Sequence, residues 1–466
     1  MTTPERELTS PALWWDGIPR ATPEPPLETA ITTQYAIVGG GYTGLWTAYF
    51  LKQRQPQADV VLVEAHRIGH GASGRNGGWL MGSLEGLSTF VSADGRLAQS
   101  VRSTLNQLVT DAGKTLSEAE IDCDFHHGGC IMAAARYDAQ TDRARAALEN
   151  FRGLGFSDED YQWLSPQQLK EKVMVAKPGG GIYTPHVARI QPAKLVTGLT
   201  KAVKALGVRL FEHTRASSIS PGQVTCDRGI IHADHIVIAT EGYSEYGSPL
   251  HRRIVPVQSG MVATEPLSGS QWNSLGLHEQ ETLADFSRAA TYLQRTADNR
   301  LVVGARGHYR PGGLPQHSLS DDDALRRHRE KVAQSLFPQL QGVTFTHSWG
   351  GSVGVARAWQ PHVLYDRATG MATAGGYVGE GVGASFLFGQ TLADLLTNIP
   401  SERVQMPWVA SRELTALKKW EPEPIPRWGF NALMTTFRVE EWLASRYGGS
   451  VPSALAAKLC DRITPH

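Results

Sequence analysis

An α/β fold built on a parallel sheet, joined to a second region with a mixed antiparallel sheet, is the architecture this sequence predicts. Three observations carry that reading. Short, continuously apolar strands alternate with amphipathic helices, the pattern of a sheet covered on both faces. A glycine-rich turn sits between the first such strand and the first helix. The same strand–turn–helix arrangement returns near the end, in AGGYVGEGVGASFLFGQTLADLL.

Composition sets the outer bounds. The 466 residues are 41% hydrophobic and 19% charged, enough apolar material for two or three domains. Forty-five basic residues balance forty-five acidic ones, so no global field recruits nucleic acid or an anionic membrane. Cys123, Cys130, Cys226 and Cys460 are too few for a disulfide framework and read as reduced thiols. No run of eighteen apolar residues suggests a membrane span, and the N-terminus lacks the basic-then-apolar pattern of a secretory signal. The expectation is a soluble, cytoplasmic protein.

Residues 1–33 are Pro-rich and irregular. The pair Trp14–Trp15 is costly to leave in water, so this arm is expected to pack back on the body. From Tyr35, YAIVGGGYTGLWTAYFLKQ reads as strand, Gly turn and helix, and ADVVLVEA as a second strand. The α/β pattern returns over 183–240 with helix AKLVTGLTKAVKALG and strands VRLFEH and HADHIVIAT. Residues 250–345 hold β-like runs, VPVQSGMVATEP and RLVVGARGHYR, and a polar helix around DDDALRRHREKVAQSLF. The last 60 or so residues read as a Pro-rich linker and terminal helices.

The turn Gly39-x-Gly41-x-x-Gly44 has a mechanical reading in this context. The first glycine permits the tight turn, the second lets a pyrophosphate approach the backbone, and the third lets helix and strand pack closely. The phosphates then meet free N–H groups at the positive end of the helix dipole, with Tyr42 and Thr43 at its start. Glu64 closes the next strand twenty positions after Gly44, where an acid holds a ribose hydroxyl and disfavours a 2′-phosphate. These are Rossmann-like features and fit either NAD or FAD. The loop after Glu64 and Ala65, HRIGHGASGRNGGWLMGS, favours the larger cofactor.

Taken together, GGGYTGLWTAYFL, Glu64 and GxGASGRNGG resemble the D-amino-acid oxidase family of flavoenzymes, in the branch with glycine oxidase, sarcosine oxidases and γ-glutamylputrescine oxidase. IHADHIVIATEGYS is similar to the family strand ending Ala-Thr-x-Gly near FAD. WGGSVGVARAWQPHV resembles the segment bordering the flavin ring, and GGYVGEGVGASFLFGQTLADLL the C-terminal Gly turn and helix. The likeness spans roughly 35–400.

The resemblance implies a discontinuous FAD-binding domain at 34–90, 150–248 and 346–400. It implies a substrate-binding domain at 91–149 and 249–345, an N-terminal arm at 1–33 and a C-terminal helical extension at 401–466. The cofactor contacts it implies are Gly39, Gly41, Tyr42, Thr43, Gly44, Glu64 and Ala65; Ser73, Gly74, Arg75, Asn76, Gly77 and Gly78; Ala239, Thr240 and Gly242; and Gly376, Gly379, Gly381, Val382 and Gly383. The last Gly turn would aim a helix dipole at the pyrimidine side of the flavin. Noncovalent FAD is expected, because SVGVARAWQPHV holds no cysteine; His66 and His70 leave a histidine linkage open.

The implied reaction is oxidation of a C–N bond in an amine or amino acid, with O2 or another electron acceptor. Candidates on the substrate and flavin side are Arg75, Asn76, Trp349, Arg357, Trp359 and His362, together with Arg306, His308, Tyr309 and Arg310. An arginine fork suits a carboxylate and an aromatic face an ammonium. Each arginine here is equally readable as structural, and Trp349 as core. Alternatives are oxidation of a C–OH bond, a flavin subunit that needs a partner, and a nicotinamide dehydrogenase. Cys123-x-x-His126-His127-x-x-Cys130 has metal-ligand types, but adjacent histidines on a strand face opposite sides, so no metal is expected.

Overall fold

The structure, a computed structural model, describes residues 12–19, 21–91, 95–244, 247–310, 319, 323–448 and 450–463, except the side chains of residues 306, 308 and 461–463. Two large sheets organise it. The first has the strand order Val409–Ala410, His362–Asp366, Met371–Gly375, Ile230–Ile238, Ile31–Val38, Val60–Val63 and Arg209–Phe211, with Ala216–Ser220 and Gln223–Cys226 appended beside Ile230–Ile238. Its centre is parallel: Ile31–Val38 runs alongside both Ile230–Ile238 and Val60–Val63.

Alternation explains why these strands are apolar throughout. Tyr35, Ile37, Val60 and Leu62 enter one core with the helices Tyr42–Arg54, Pro192–Ala205 and Gly381–Leu396. Ala36, Val38, Val61 and Val63 enter a second core on the opposite face. Successive side chains leave opposite faces, so a doubly covered strand can spare no polar position.

The second sheet has the order Phe345–Ala356, Ile254–Thr264, Leu301–His308, Thr291–Arg295, Thr282–Asp285, Cys130–Ala133, Gly181–Thr184 and Gln162–Leu164. It is antiparallel except where Thr282–Asp285 runs parallel to Cys130–Ala133. One face carries Val262, Leu283, Leu293 and Val303 against the helices Gly269–Leu275 and Ala324–Leu336. The other face turns toward the first sheet.

Several segments sit differently from the sequence reading. Gln162–Leu164, Gly181–Thr184 and Phe345–Ala356, grouped there with the cofactor domain, hydrogen-bond into the second sheet. The helix Arg96–Glu118, grouped with the substrate domain, places Val101, Leu105 and Leu108 in the core beneath the cofactor sheet. The first half of IDCDFHHGGCIMAAA forms no strand beyond a single bridge between His126 and Arg189.

The described segments near both ends of the chain pack on the body. Trp14 is buried and meets Trp349 edge-to-face at 5.8 Å. The C-terminal helix Ile425–Tyr447 is tied down by Glu440, which accepts from the guanidinium of Arg143 and from Arg288 Nε at 3.4 Å. No helix among the described residues is long and apolar enough to cross a membrane.

Candidate functional site

At the carboxyl end of Ile31–Val38 the chain turns through Gly39 at φ +115°. A Cβ at Gly39 would lie 2.6 Å from the Ala239 carbonyl oxygen, and one at Gly44 2.1 Å from the Gly39 carbonyl oxygen. Only glycine fits either position. The helix that follows starts at Tyr42, and its first residues face a cleft of about 1380 Å³.

Glu64 ends the neighbouring strand on the wall of that cleft. Its carboxylate accepts the Gly40 N–H at 2.8 Å and the His66 N–H at 2.9 Å, which pins the glycine loop to the second strand. Burial raises its pKa, and the two N–H donors oppose the rise.

The cleft extends from Glu64 to the helix Gly381–Leu396 and is lined at its far end by Gly379, Gly381 and Val382. Gly39, Gly41, Tyr42, Thr43, Glu64, Ala65, Ser73, Asn76, Ala239 and Thr240 also line it. The sequence reading therefore converges on one elongated cavity. The remaining glycines it named act as spacers behind the walls. A Cβ at Gly74 would lie 2.3 Å from the Gly69 carbonyl, one at Gly78 2.4 Å from the Ile190 carbonyl, and one at Gly383 2.1 Å from the Met81 carbonyl. Gly242 lies 3.3 Å, by the same measure, from the Gly354 and Pro256 backbone, and Gly376 3.0 Å from the Gln360 carbonyl.

The loop 73–78 is held from behind. Ser73 Oγ accepts the Tyr42 N–H at 2.9 Å. Trp14 Nε1 donates to the Asn76 carbonyl at 2.8 Å, Trp15 Nε1 to the Gly74 carbonyl at 3.1 Å, and Trp349 Nε1 to the Arg75 carbonyl at 2.8 Å. Trp14 and Trp15 of the N-terminal arm pack back onto this loop. Arg75 is buried and donates from Nε to the His70 carbonyl at 2.8 Å.

Glu241 went unnamed in the sequence reading, although it is the variable position of Ala239-Thr240-x-Gly242. It lines the cleft at φ +46°. One carboxylate oxygen accepts the Tyr377 N–H at 3.1 Å, and the other is buried with no hydrogen-bond partner among the described residues. A Cβ at Gly354 would lie 2.0 Å from it, so that glycine makes its room. Burial pushes this carboxyl up to about 7. Tyr377 was also missed: its hydroxyl hydrogen-bonds Thr43 Oγ1 at 2.8 Å, linking the two Gly-turn helices. An acid between small residues at a strand end was the available signal for Glu241. Nothing local marked Tyr377.

A second cavity of about 1630 Å³ lies against the second sheet. The two cavities share Ala72, Asn76, Val353, Gly379 and Val382. Arg75, Gly77 and Trp359 line the second one as well. Other candidates lie elsewhere. Trp349 is fully buried and lines neither cavity. Arg357 lies outside both, paired with Glu421 at 3.0 Å and stacked 5.1 Å over Trp420. His362 sits in a strand behind Gly376, where burial pushes its imidazole down to about 4. Tyr309 and Arg310 follow the end of the strand Leu301–His308, and Tyr309 Oη donates to Glu423 at 2.5 Å. The side chains of Arg306 and His308 lie outside the described residues.

His126 and His127 bind different carbonyls, those of Glu279 and Pro185. Burial pushes the Cys123 and Cys130 thiols up to about 12, away from the thiolate a metal needs. No group of three His, Cys, Asp or Glu placed to hold a metal occurs among the described residues.

The features suit an extended dinucleotide: a turn whose close backbone packing only glycine permits, two helix N-termini facing one cleft, and a cleft-lining glutamate with one buried carboxylate oxygen that has no hydrogen-bond partner among the described residues. Comparison with known proteins agrees. The sequence model of the DAO family, FAD dependent oxidoreductases, matches residues 34–395. The chain is 29% identical over 380 residues to gamma-glutamylputrescine oxidoreductase of Escherichia coli K12, covering 79% of this chain and 85% of that protein. It is 23% identical over 352 residues to sarcosine oxidase subunit beta of an Arthrobacter species, covering 72% and 78%. The solved glycine oxidase of Geobacillus kaustophilus shares its fold with a TM-score of 0.68 at 22% identity, covering 82% of this chain and 99% of that one. The chain thus belongs to the DAO family and is an FAD-dependent oxidoreductase.

Proposed function

We propose that this protein oxidises the C–N bond of an amine or amino acid. One observation carries the reading: the dinucleotide cleft shares Asn76, Val353 and Gly379 with a second cavity against the second sheet, where an organic substrate would lie beside the cofactor. Relatives named for amine and amino-acid oxidation supply the reaction class. When bound, FAD supplies a two-electron acceptor for the hydride on the carbon beside nitrogen; the imine product takes up water to give a carbonyl compound and an amine or ammonia, and O2 becomes H2O2.

The chain's own residues bind, orient and shield. The Gly39–Gly44 turn and the helix from Tyr42 receive the pyrophosphate, and Glu64 the ribose. The loop 73–78, fixed by three indole N–H donors, carries Asn76 to the junction of the two cavities and Arg75 to the wall of the second. The helix from Gly381 presents its positive end to charge developing at that junction. The chamber walls exclude water around the reacting carbon.

Among the described residues no cysteine lines either cavity, which supports noncovalent FAD. The test is the visible spectrum before and after anaerobic addition of amine, amino-acid and hydroxy-acid panels. Bleaching by amines or amino acids alone is expected. Bleaching only by hydroxy acids would overturn the reading. Acid precipitation should release the flavin into the supernatant.

A further inference from the structure

Beyond residue 395, where the family match ends, the chain adds two successive helices, Ile425–Tyr447 and Val451–Ile463. Eight of the eleven large apolar side chains exposed among the described residues lie on these two helices. Exposed apolar residues scattered singly are ordinary, whereas their concentration on one appended element marks a contact surface.

The longer helix is apolar on two sides. Its inward side, with Phe430, Phe437, Glu440 and Ala444, is buried. The Glu440 carboxylate accepts from Arg143 and Arg288, and Phe430 stacks on Tyr309 at 5.2 Å, so the helix is held in one register against the body. Its other side carries Ile425, Trp428, Ala432, Thr435, Val439 and Trp442, all of them exposed. These six follow one another in alternating steps of three and four residues. That is the repeat by which one helix seats along another. Trp428 and Trp442 flank the small Ala432 and Thr435, which leaves holes for the knobs of a facing helix.

The shorter helix turns back along the longer one, and Cys460 Sγ lies 3.8 Å from the Thr436 carbonyl oxygen. That contact brings Leu455 and Leu459 level with Val439 and Trp442. Both leucines are exposed, as are Tyr447 and Val451. At roughly half exposure or more, each of the eight side chains offers on the order of 100 Å², and together they offer about 800 Å², the share that each partner buries in a standard interface. The largest apolar patch of a typical monomer is smaller, about 300–600 Å².

We propose that a second copy of this chain covers this face, with the outward seam of Ile425–Tyr447 packed against the same seam of its mate. A two-fold axis requires that self-pairing, and a second copy supplies both the matching repeat and the matching area. Phe430 and Phe437 line the second cavity from the inward side of the same helix, so the contact holds that cavity wall from behind.

The experiment is sedimentation velocity of the FAD-loaded full-length protein across the micromolar range. The expected species has twice the chain mass. Val439→Lys and Trp428→Ala should each raise the dimer dissociation constant at least about tenfold while keeping the wild-type far-UV spectrum and flavin content. Met174→Lys, at an exposed apolar residue away from these helices, should leave it unchanged. In the wild type, amide exchange along Ile425–Tyr447 should slow as concentration rises through the dissociation constant. A wild-type monomer at high micromolar concentration would overturn the proposal, as would a dimer indifferent to both seam variants or helix exchange indifferent to assembly. A monomer that floats with vesicles of mixed phosphatidylcholine and phosphatidylglycerol, and loses them on Val439→Lys, would reassign the face to a lipid surface.

Discussion

Replacing Glu241 by glutamine should change how stability depends on pH. In the cofactor-free protein the carboxyl is pushed from an ordinary value of 4.5 up to about 7 by burial, against the opposing pull of the Gly376 and Tyr377 N–H groups. Below pH 4.5 the folded and unfolded chains both hold the proton, and the residue imposes no cost. Between 4.5 and 7 only the unfolded chain ionises, so stability falls as pH rises. Above 7 the loss is complete. The gap of 2.5 units, 7 minus 4.5, at about 1.4 kcal/mol each, corresponds to about 3 kcal/mol as an upper bound. Glutamine keeps an oxygen for the Tyr377 N–H but cannot ionise. Urea unfolding midpoints of both proteins, taken from pH 5 to 8.5 at matched slope, should diverge in favour of Glu241→Gln as pH rises. Parallel profiles, within about 0.5 kcal/mol across that range, would refute the assignment of a strained carboxyl at this position.

Three further outcomes follow from the geometry. Gly44→Ala forces a methyl to within 2.1 Å of the Gly39 carbonyl, so it should cost about 1–3 kcal/mol and yield protein depleted of FAD, read as the flavin-to-protein absorbance ratio. Trp349→Phe strands the buried Arg75 carbonyl and should cost about 1–3 kcal/mol in urea unfolding, with weaker FAD retention because the loop 73–78 loses one of its three indole anchors. Arg357→Ala removes a pair whose side chains are 41% and 39% exposed, so it should cost about 0–1 kcal/mol and leave kcat/KM within twofold; a tenfold loss would place Arg357 at the substrate.

The cofactor cleft was legible because its physics is local. A cradle needs glycines at fixed offsets, an acid at the next strand end, and small residues where backbones cross. Gly39, Gly44, Glu64 and Ala239 satisfy those needs within their own segments, so pattern reading finds them. Glu241 shows the limit of that reading. The motif around it was visible, but its burial depends on Gly354, over a hundred positions later, leaving space for a carboxylate. Which sheet a short strand joins is hard to read for a related reason. Gln162–Leu164 and Gly181–Thr184 are short strands that would suit either sheet; pairing of Gly181–Thr184 with Cys130–Ala133, and of Gln162–Leu164 with Gly181–Thr184, decides the matter.

The substrate side was least legible, and the reason is chemical. Trp349, Arg357 and Tyr309 are residue types that binding sites favour, but cores and ion pairs favour them equally. In this protein Trp349 is spent on the Arg75 carbonyl, Arg357 on Glu421 and Tyr309 on Glu423. Beside the sequence candidates Arg75, Asn76 and Trp359, the chamber is lined by Met261, Tyr292, Phe430 and Phe437, which carry no motif at all. An apolar wall is specified by where three distant segments meet, not by the identity of any one residue. In this chain the cofactor cleft is built from local motifs, whereas part of the second cavity comes from a helix beyond the family match. Because no residue of Ile425–Tyr447 lines the cofactor cleft, truncating its apolar face should leave FAD affinity unchanged. A comparison of FAD dissociation constants in Phe437→Ala and Gly44→Ala should show no change in the first and a large one in the second. Equal weakening in both would mean that the C-terminal helix belongs to the cofactor site after all.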